Sequence, residues 1–213
     1  MKAKTEPLKP VKPTLLDPLT LGLRLRTARK QLGWTLTQLS DRANVSVTTI
    51  SRAERGQLAL GYENLSALGQ ALQIGTLFSK GIEASPGKEC LEITRAGEGV
   101  HYRGLAFSYE FLATGIKGKP INPVLGTVHA RSLTGQADFA RHAGVEFVYV
   151  LTGEIEVHFE NLDTVHLKRG DSLYFDSRIG HAFVTVSKQL AKVIGVITVE
   201  SNHMALAKQG QES

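Results

Sequence analysis

The stretch NVSVTTISRAERG, residues 44–56, decides how this chain is read. Ile50 is its one large aliphatic side chain past Val47, and Ser46, Thr48, Thr49, Ser51 and Arg52 stand around it. So few helical turns do not offset the cost of nucleation, and a helix here needs neighbours that clamp its apolar side. Ser46 is a good N-cap and Gly56 a good terminator, which places the helix over 47–55. With Ile50 turned inward, hydroxyls and an arginine are left facing out.

The flanking sequence supplies the clamp. Thr35-x-x-Gln38 has the form of a capping box and opens a helix carrying Leu36, Leu39 and Ala43. Upstream, Leu21, Leu25, Ala28 and Leu32 recur at helical spacing until Gly33. Downstream, GYENLSALGQALQI gives a fourth helix with Leu65, Leu68 and Leu72 inward, and TLFSKGI a fifth. Two short helices joined by the tight connection RANVS make a helix-turn-helix.

In such a motif the N-terminal end of the second helix approaches the base edges. Ser46, Val47, Thr48, Thr49 and Arg52 are therefore candidate DNA-binding residues. Threonines can bond to bases or touch a thymine methyl, and an arginine can pair with guanine O6 and N7. Arg24, Arg29 and Arg42 are candidates for the phosphate contacts that set register without reading sequence.

Residues 19–78 resemble the XRE-type, lambda-repressor/Cro-like DNA-binding domain. Leu21, Arg24, Arg29, Gly33, Leu39, Ser46, Ile50, Ser51, Glu54, Arg55 and Gly56 carry the likeness. Within that family Glu–Arg–Gly closes the turn after the recognition helix, so the resemblance gives Glu54 and Arg55 structural roles. Leu36 stands where many members carry a phosphate-contacting glutamine, and Gln38 is the nearby substitute.

Charge distribution agrees. Residues 1–90 hold 13 Lys and Arg against 7 Asp and Glu, while residues 91–213 hold 12 against 13. The basic excess therefore lies in the first part, which suits a polyanionic partner. Pro7, Pro10, Pro13 and Pro18 interleave with Lys2, Lys4, Lys9 and Lys12, a composition that reads as a disordered tail over 1–18. No apolar run spans a membrane, and the lysine-bearing start lacks the apolar core of a secretory signal. The single Cys90 fits a reducing cytoplasm and reads as an inert thiol.

EASPGKEC breaks the helical pattern at Pro86 and Gly87. Beyond it EFVYVL, EIEVHF, TVHLKRG, SLYFD, HAFVTV and AKVIGVITVE are short, β-branched and aromatic-rich, as a sandwich or barrel requires. The expected organisation is a tail over 1–18, a five-helix domain over 19–80, a linker over 81–92, an all-β domain over 93–203 and a C-terminal tail over 204–213. The fold class is multidomain α and β.

FARHAGVEFVYVLTGEIEV and LKRGDSLYFDSRIGHAFV resemble the two motifs of the cupin family, whose fold is a jelly-roll barrel able to hold a metal or a small ligand. The resemblance implies a ligand set of His142, Glu146 and His181, with Ala140 where the family's first histidine stands. Strand alternation puts Glu146, Val148 and Val150 on the interior face and Phe147, Tyr149 and Leu151 on the other. Two histidines and a carboxylate can form a facial triad for a divalent ion such as Zn, Fe or Ni. The depleted set equally fits a pocket that has abandoned metal for an organic effector. His158 and His166 read as solvated surface, His101 and His203 have no recognisable partner, and His129 lies on an expected strand.

The combined resemblance implies a cytoplasmic, homodimeric transcriptional regulator and not an enzyme. Its operator would be double-stranded and pseudo-palindromic, and its second domain would sense a metal or small molecule. Dimerisation also follows from physics, because one short helix reads few bases and two copies double the readout. Two alternatives stay open: a metal-dependent oxygenase or isomerase with an appended DNA-binding domain, and a DNA-binding protein whose barrel only dimerises.

Overall fold

The computed structural model describes residues 14–72, 82–83, 91–104, 106–117 and 119–198. Strand β1 (Thr14–Leu16) leads into helices α1 (Pro18–Gln31), α2 (Leu36–Ala43), α3 (Val47–Glu54) and α4 (Tyr62–Ala71). Strands β2 (Ile82–Glu83), β3 (Val100–Arg103), β4 (Phe107–Phe111), β5 (Ile116–Lys117) and β6 (Ile121–Val128) follow. The last six are β7 (Val145–Thr152), β8 (Glu154–Phe159), β9 (Val165–Lys168), β10 (Ser172–Asp176), β11 (His181–Thr185) and β12 (Lys192–Thr198).

Local chemistry fixes each helix end. Asp17 caps α1, its carboxylate accepting from the Leu19 and Thr20 amides at 2.9 Å, with Pro18 in the first turn, where a missing N–H costs nothing. The Thr35–Gln38 capping box forms on α2, and the Ser46 hydroxyl accepts from the Thr49 amide on α3. Gly33 and Gly56 follow α1 and α3 at φ +69° and +70°, a region L side chains avoid. Leu21, Leu25, Leu39, Ile50, Leu65 and Leu68 fill the helical core. Leu32, expected inward, is instead the exposed C-cap of α1. The expected fifth helix lies almost wholly outside the described residues, as do Pro86, Gly87, Cys90, His203 and the C-terminal tail.

Seven strands form one sheet in the order β1-β3-β4-β6-β12-β7-β10, and β11-β8-β9 form a second. β1 runs parallel to β3, and the other pairs in these two sheets are antiparallel. Val148, Val150, Val193 and Phe175 of the larger sheet share one apolar cluster with Ile155 and Val157 of the smaller. The strands expected after residue 145 are all present. β3, β4 and β6 were not legible one by one, since β6 (INPVLGTV) carries a proline and a glycine that argue against a central strand.

The helical and sheet domains are not joined by a loose tether. Leu16, Leu60, Val100, Tyr102, Val124 and Ile197 belong to the same buried cluster as the helical core. The Tyr102 hydroxyl donates to the Leu60 carbonyl at 2.9 Å across that seam. The tail expected over 1–18 therefore stops short of Thr14: β1 adds to the sheet edge and Leu16 is buried, because the strand finds a partner that composition alone does not reveal. Residues 1–13 lie outside the described residues.

Arg29 departs from its expected role as a phosphate contact. Its Nε and Nη2 donate to the two Glu54 carboxylate oxygens at 2.6 and 2.7 Å, and Nη1 donates to the Trp34 carbonyl at 2.7 Å. Both side chains are nearly buried, at 11% and 6% exposure, so the pair bolts α1 to the end of α3. Glu54→Ala would strand a buried guanidinium and should cost about 3 kcal/mol. Urea denaturation followed by helical circular dichroism checks this, and an unchanged midpoint would show that the pair contributes nothing to stability.

Candidate DNA-binding face and metal centre

Glu146 sits on the inner face of β7, as the alternation predicts, with Val148 and Val150 beside it and Phe147 and Tyr149 on the far side. His181 opens β11 and is held by reciprocal backbone bonds between Ala140 and His181, 2.8 and 3.0 Å long. His142, in the loop just before β7, is fixed by its amide donating to the Ser177 carbonyl at 3.0 Å. The three side chains converge. Glu146 Oε2 lies 3.4 Å from His142 Nε2 and 3.6 Å from His181 Nε2, and the donor atoms all fall within 4.8 Å of one another.

The donor chemistry fits a divalent cation. His181 Nδ1 is 2.8 Å from the Ile179 carbonyl, so its proton sits there and the Nε2 lone pair faces Glu146. Burial holds the His181 pKa below its ordinary value, against the opposing pull of the Glu146 carboxylate, which favours the neutral ring a metal needs. Bonds of about 2.1 Å in tetrahedral or octahedral geometry place neighbouring ligand atoms roughly 3–3.5 Å apart, close to the separations seen. His142 Nδ1 is buried without a hydrogen-bond partner among the described residues. Its ring is set by packing instead, edge-on to Tyr62 at 5.2 Å and to His181 at 5.3 Å. The His–Glu–His group can therefore hold a metal ion, and Ala140 supplies no fourth donor.

These residues line a cavity of about 730 Å³. Its wall is not made by the sheets alone. Thr49 of α3, Leu58 and Leu60 of the following loop and Tyr62, Glu63 and Asn64 of α4 line it together with Phe107, Phe183 and Val193. Tyr62 is half-buried beside Asn122 and Glu146, and desolvation pushes its phenol well above the usual range. Burial likewise raises the Glu63 carboxyl, which accepts a bond from the Arg141 backbone amide. Sequence reading missed this wall, since nothing in the spacing of residues 58–64 signals a partner some 80 residues downstream.

Elsewhere on α3, Val47, Thr48 and Arg52 are exposed. Thr49, expected at the base-reading end, is only half-exposed: its hydroxyl is 2.8 Å from that of Ser46 and it lines the cavity. Ser46 is exposed but committed to capping. Gln38 spends its amide oxygen on the Thr35 amide at 2.8 Å. Arg42 lies 4.3 Å over the Trp34 ring and donates to the Gln38 carbonyl, while its side chain stays exposed. Arg24 is half-buried on α1. Away from both sites His158 pairs with Glu156 at 3.1 Å and His166 with Glu154 at 3.0 Å. His129 follows β6 and contacts the Ser108 hydroxyl, and His101 contacts the Gly97 carbonyl.

Helices in this arrangement, with a capped eight-residue α3 presenting a polar face, define a helix-turn-helix module, and the two-sheet unit carries a histidine–carboxylate pocket that could hold a metal ion. Residues 25–78 match the helix-turn-helix family model and residues 132–197 the cupin domain model. The chain thus carries an XRE-type helix-turn-helix domain toward its N-terminus and a cupin domain toward its C-terminus. Among solved structures it is similar to an HTH_3 family transcriptional regulator from Vibrio cholerae, at 16% identity and TM-score 0.58, over 87% of this chain and 98% of that one. At that identity the likeness speaks to fold. A hydroxypropylphosphonic acid epoxidase from S. wedmorenis aligns at 22% identity over 85% of this chain and 98% of that one, with TM-score 0.44, too loose to carry an argument. No match was found among curated proteins. Among the described residues no helix is long and apolar enough to cross a membrane.

Removing the central carboxylate tests the metal centre. The wild-type chain should bind about one Zn²⁺ or Co²⁺ and melt at higher temperature with metal present, by mass action on the folded state. Glu146→Gln should lose that metal-dependent shift while folding normally without metal. Equilibrium dialysis with metal analysis, alongside thermal denaturation, reads both.

Proposed function

We propose that this protein is a sequence-specific, homodimeric transcriptional regulator whose cupin domain senses a metal-dependent effector and alters operator binding. The observation that carries the reading is the placement of α3. Its outer face offers Val47, Thr48 and Arg52 to solvent, and its inner residue Thr49 lines the cavity that holds the triad. Nucleic-acid reading and ligand binding thus fall on neighbouring residues of one eight-residue helix. The likeness to a transcriptional regulator from Vibrio cholerae and the basic N-terminal half support the DNA-binding part.

The base-reading residues of this proposal are Thr48 and Arg52, with Val47 supplying apolar contact and Arg42 and Arg24 the phosphate contacts. Arg29 is excluded, since it is spent on Glu54. Arg52→Ala should relax base preference and cost about 1–3 kcal/mol in operator affinity, while Arg42→Ala weakens all duplexes alike. Footprinting on a selected duplex pool checks this. Selectivity unchanged in both variants would remove α3 from the role of reader.

The second copy fits the outer face of the larger sheet. There Tyr174, Phe147 and Val196 lie in register across β10, β7 and β12, with Tyr149 and Ile194 in the adjoining row. Tyr174, Phe147 and Tyr149 are exposed, an apolar patch of the sort that marks association surfaces. Tyr149→Lys should convert a dimer to monomers in size-exclusion chromatography with light scattering and abolish cooperative operator binding.

One observation favours a second reading, a metal-dependent cupin enzyme. The His–Glu–His set lacks a fourth protein donor among the described residues and opens on a cavity large enough for a substrate. Oxygen uptake by the iron-loaded chain over candidate substrates, lost in Glu146→Ala, would carry that reading instead.

A further inference from the structure

We infer that the cavity is a composite site in which the DNA-binding domain itself holds the effector, a molecule with one metal-coordinating head and a mostly apolar body. The inference rests on the regulatory reading above and adds to it the class of ligand and the wall that senses it.

The lining decides the ligand class. Beyond the triad it is dominated by side chains such as Leu58, Leu60, Phe107, Phe183 and Val193. No lysine or arginine is among the described lining residues, whereas Glu63, Asp138 and Glu146 are. Asp138 is taken up by the Thr134 hydroxyl and the Gly135 amide, and Glu63 by the Arg141 amide. A phosphate or a dicarboxylate would therefore bring a second charge among carboxylates with no cation to meet it. One donor group has a partner, at the metal. Ala140 leaves room beside it, because the side chain there cannot ligate. The rest of the ligand must gain its affinity from burial, at about fourfold per buried methylene.

The same lining decides the coupling. Thr49 lies on α3, one residue from Thr48, and its hydroxyl is engaged with the Ser46 cap that starts the helix. A body filling the cavity therefore touches the base of the recognition helix and the loop that follows it. An occupant that prefers one placement of these residues shifts DNA affinity by that preference.

The test uses the full chain loaded with Co²⁺ and the simple probes acetate, butyrate and octanoate, read by the cobalt absorption bands and by calorimetry without DNA. Affinity should climb with chain length, octanoate binding at least 30-fold tighter than butyrate. Ala59→Phe and Asn64→Phe, made on two segments of the helical-domain wall away from the triad, should each weaken octanoate at least tenfold. Co²⁺ affinity, melting temperature and butyrate binding should hold. Having two variants guards against one misfolding. Absence of chain-length dependence would overturn the ligand class, as would hexylamine binding the metal-free chain more tightly than octanoate binds the cobalt form. Wild-type octanoate affinity in folded forms of both variants would overturn the composite wall. In gel shifts, octanoate should change operator affinity of the cobalt form at least fivefold, and no change would overturn the coupling. A chain that binds octanoate as expected but no duplex at all would sink the regulatory reading and leave the ligand site standing.

Discussion

The structure depends on a core that two domains share. Leu60, buried at the end of the α3–α4 loop, packs in one cluster with Leu21, Leu25 and Ile50 on the helical side and with Val100, Tyr102 and Val124 on the sheet side. The Tyr102–Leu60 bond then satisfies a backbone carbonyl that would otherwise be buried without a donor. Domains joined by a polar linker move independently by default. These two do not have that freedom at their contact, because separating them would expose apolar surface and orphan polar groups together. Strand β1 adds a second tie at the start of α1, so the helical unit is gripped at both its N-terminal edge and its α3–α4 loop.

That grip places unusual groups at the triad. Glu146 is nearly buried between two imidazoles that are themselves nearly buried. A carboxylate in such a place is costly unless a cation or several donors meet it. Its oxygen lies 3.4 and 3.6 Å from the Nε2 atoms of the two histidines, and His181 is held toward its neutral form by burial. Gly195 on β12 lies opposite, where a β-carbon would come within 2.9 Å of the Val124 side chain, so the packing of Val124 beside the site depends on the missing side chain. An arrangement that gathers a carboxylate and two imidazole nitrogens in one nearly buried place is suited to receive a cation.

What was legible in the sequence was what is decided locally. The Ser46 cap, the Thr35–Gln38 box, the glycines after α1 and α3 and the alternation along β7 each depend on residues within a few positions of one another. The triad was legible for a different reason, since the resemblance to a family supplied a spacing that physics alone does not single out. What was not legible was decided across distance. Arg29 and Glu54 are 25 residues apart, and an arginine on an amphipathic helix looks the same whether it meets a phosphate or a carboxylate. Thr49 looks like a base reader until α4 and the sheet are placed against its flank. The strand at Thr14–Leu16 is similar: three residues have no period to read, and their pairing exists only because β3 offers an open edge.

On the proposed function, these long-range facts also constrain how a ligand could act on DNA binding. A ligand confined to the cupin interior would have to act through the shared core, which is close-packed and transmits strain without a defined direction. A ligand that touches Thr49 and the α3–α4 loop acts at the helix itself. It needs no large motion, because base readout fails when contacts are displaced by a fraction of their roughly 2.7–3.2 Å range. Gly56, whose added β-carbon would lie 2.7 Å from the Leu19 backbone, shows how closely the C-terminal end of α3 is held against α1. Arg29 and Glu54 clamp the same end. Thr49, in the first turn of the helix, is the α3 residue that borders the cavity, so on the proposed function a ligand and the bases would be met within the same turn.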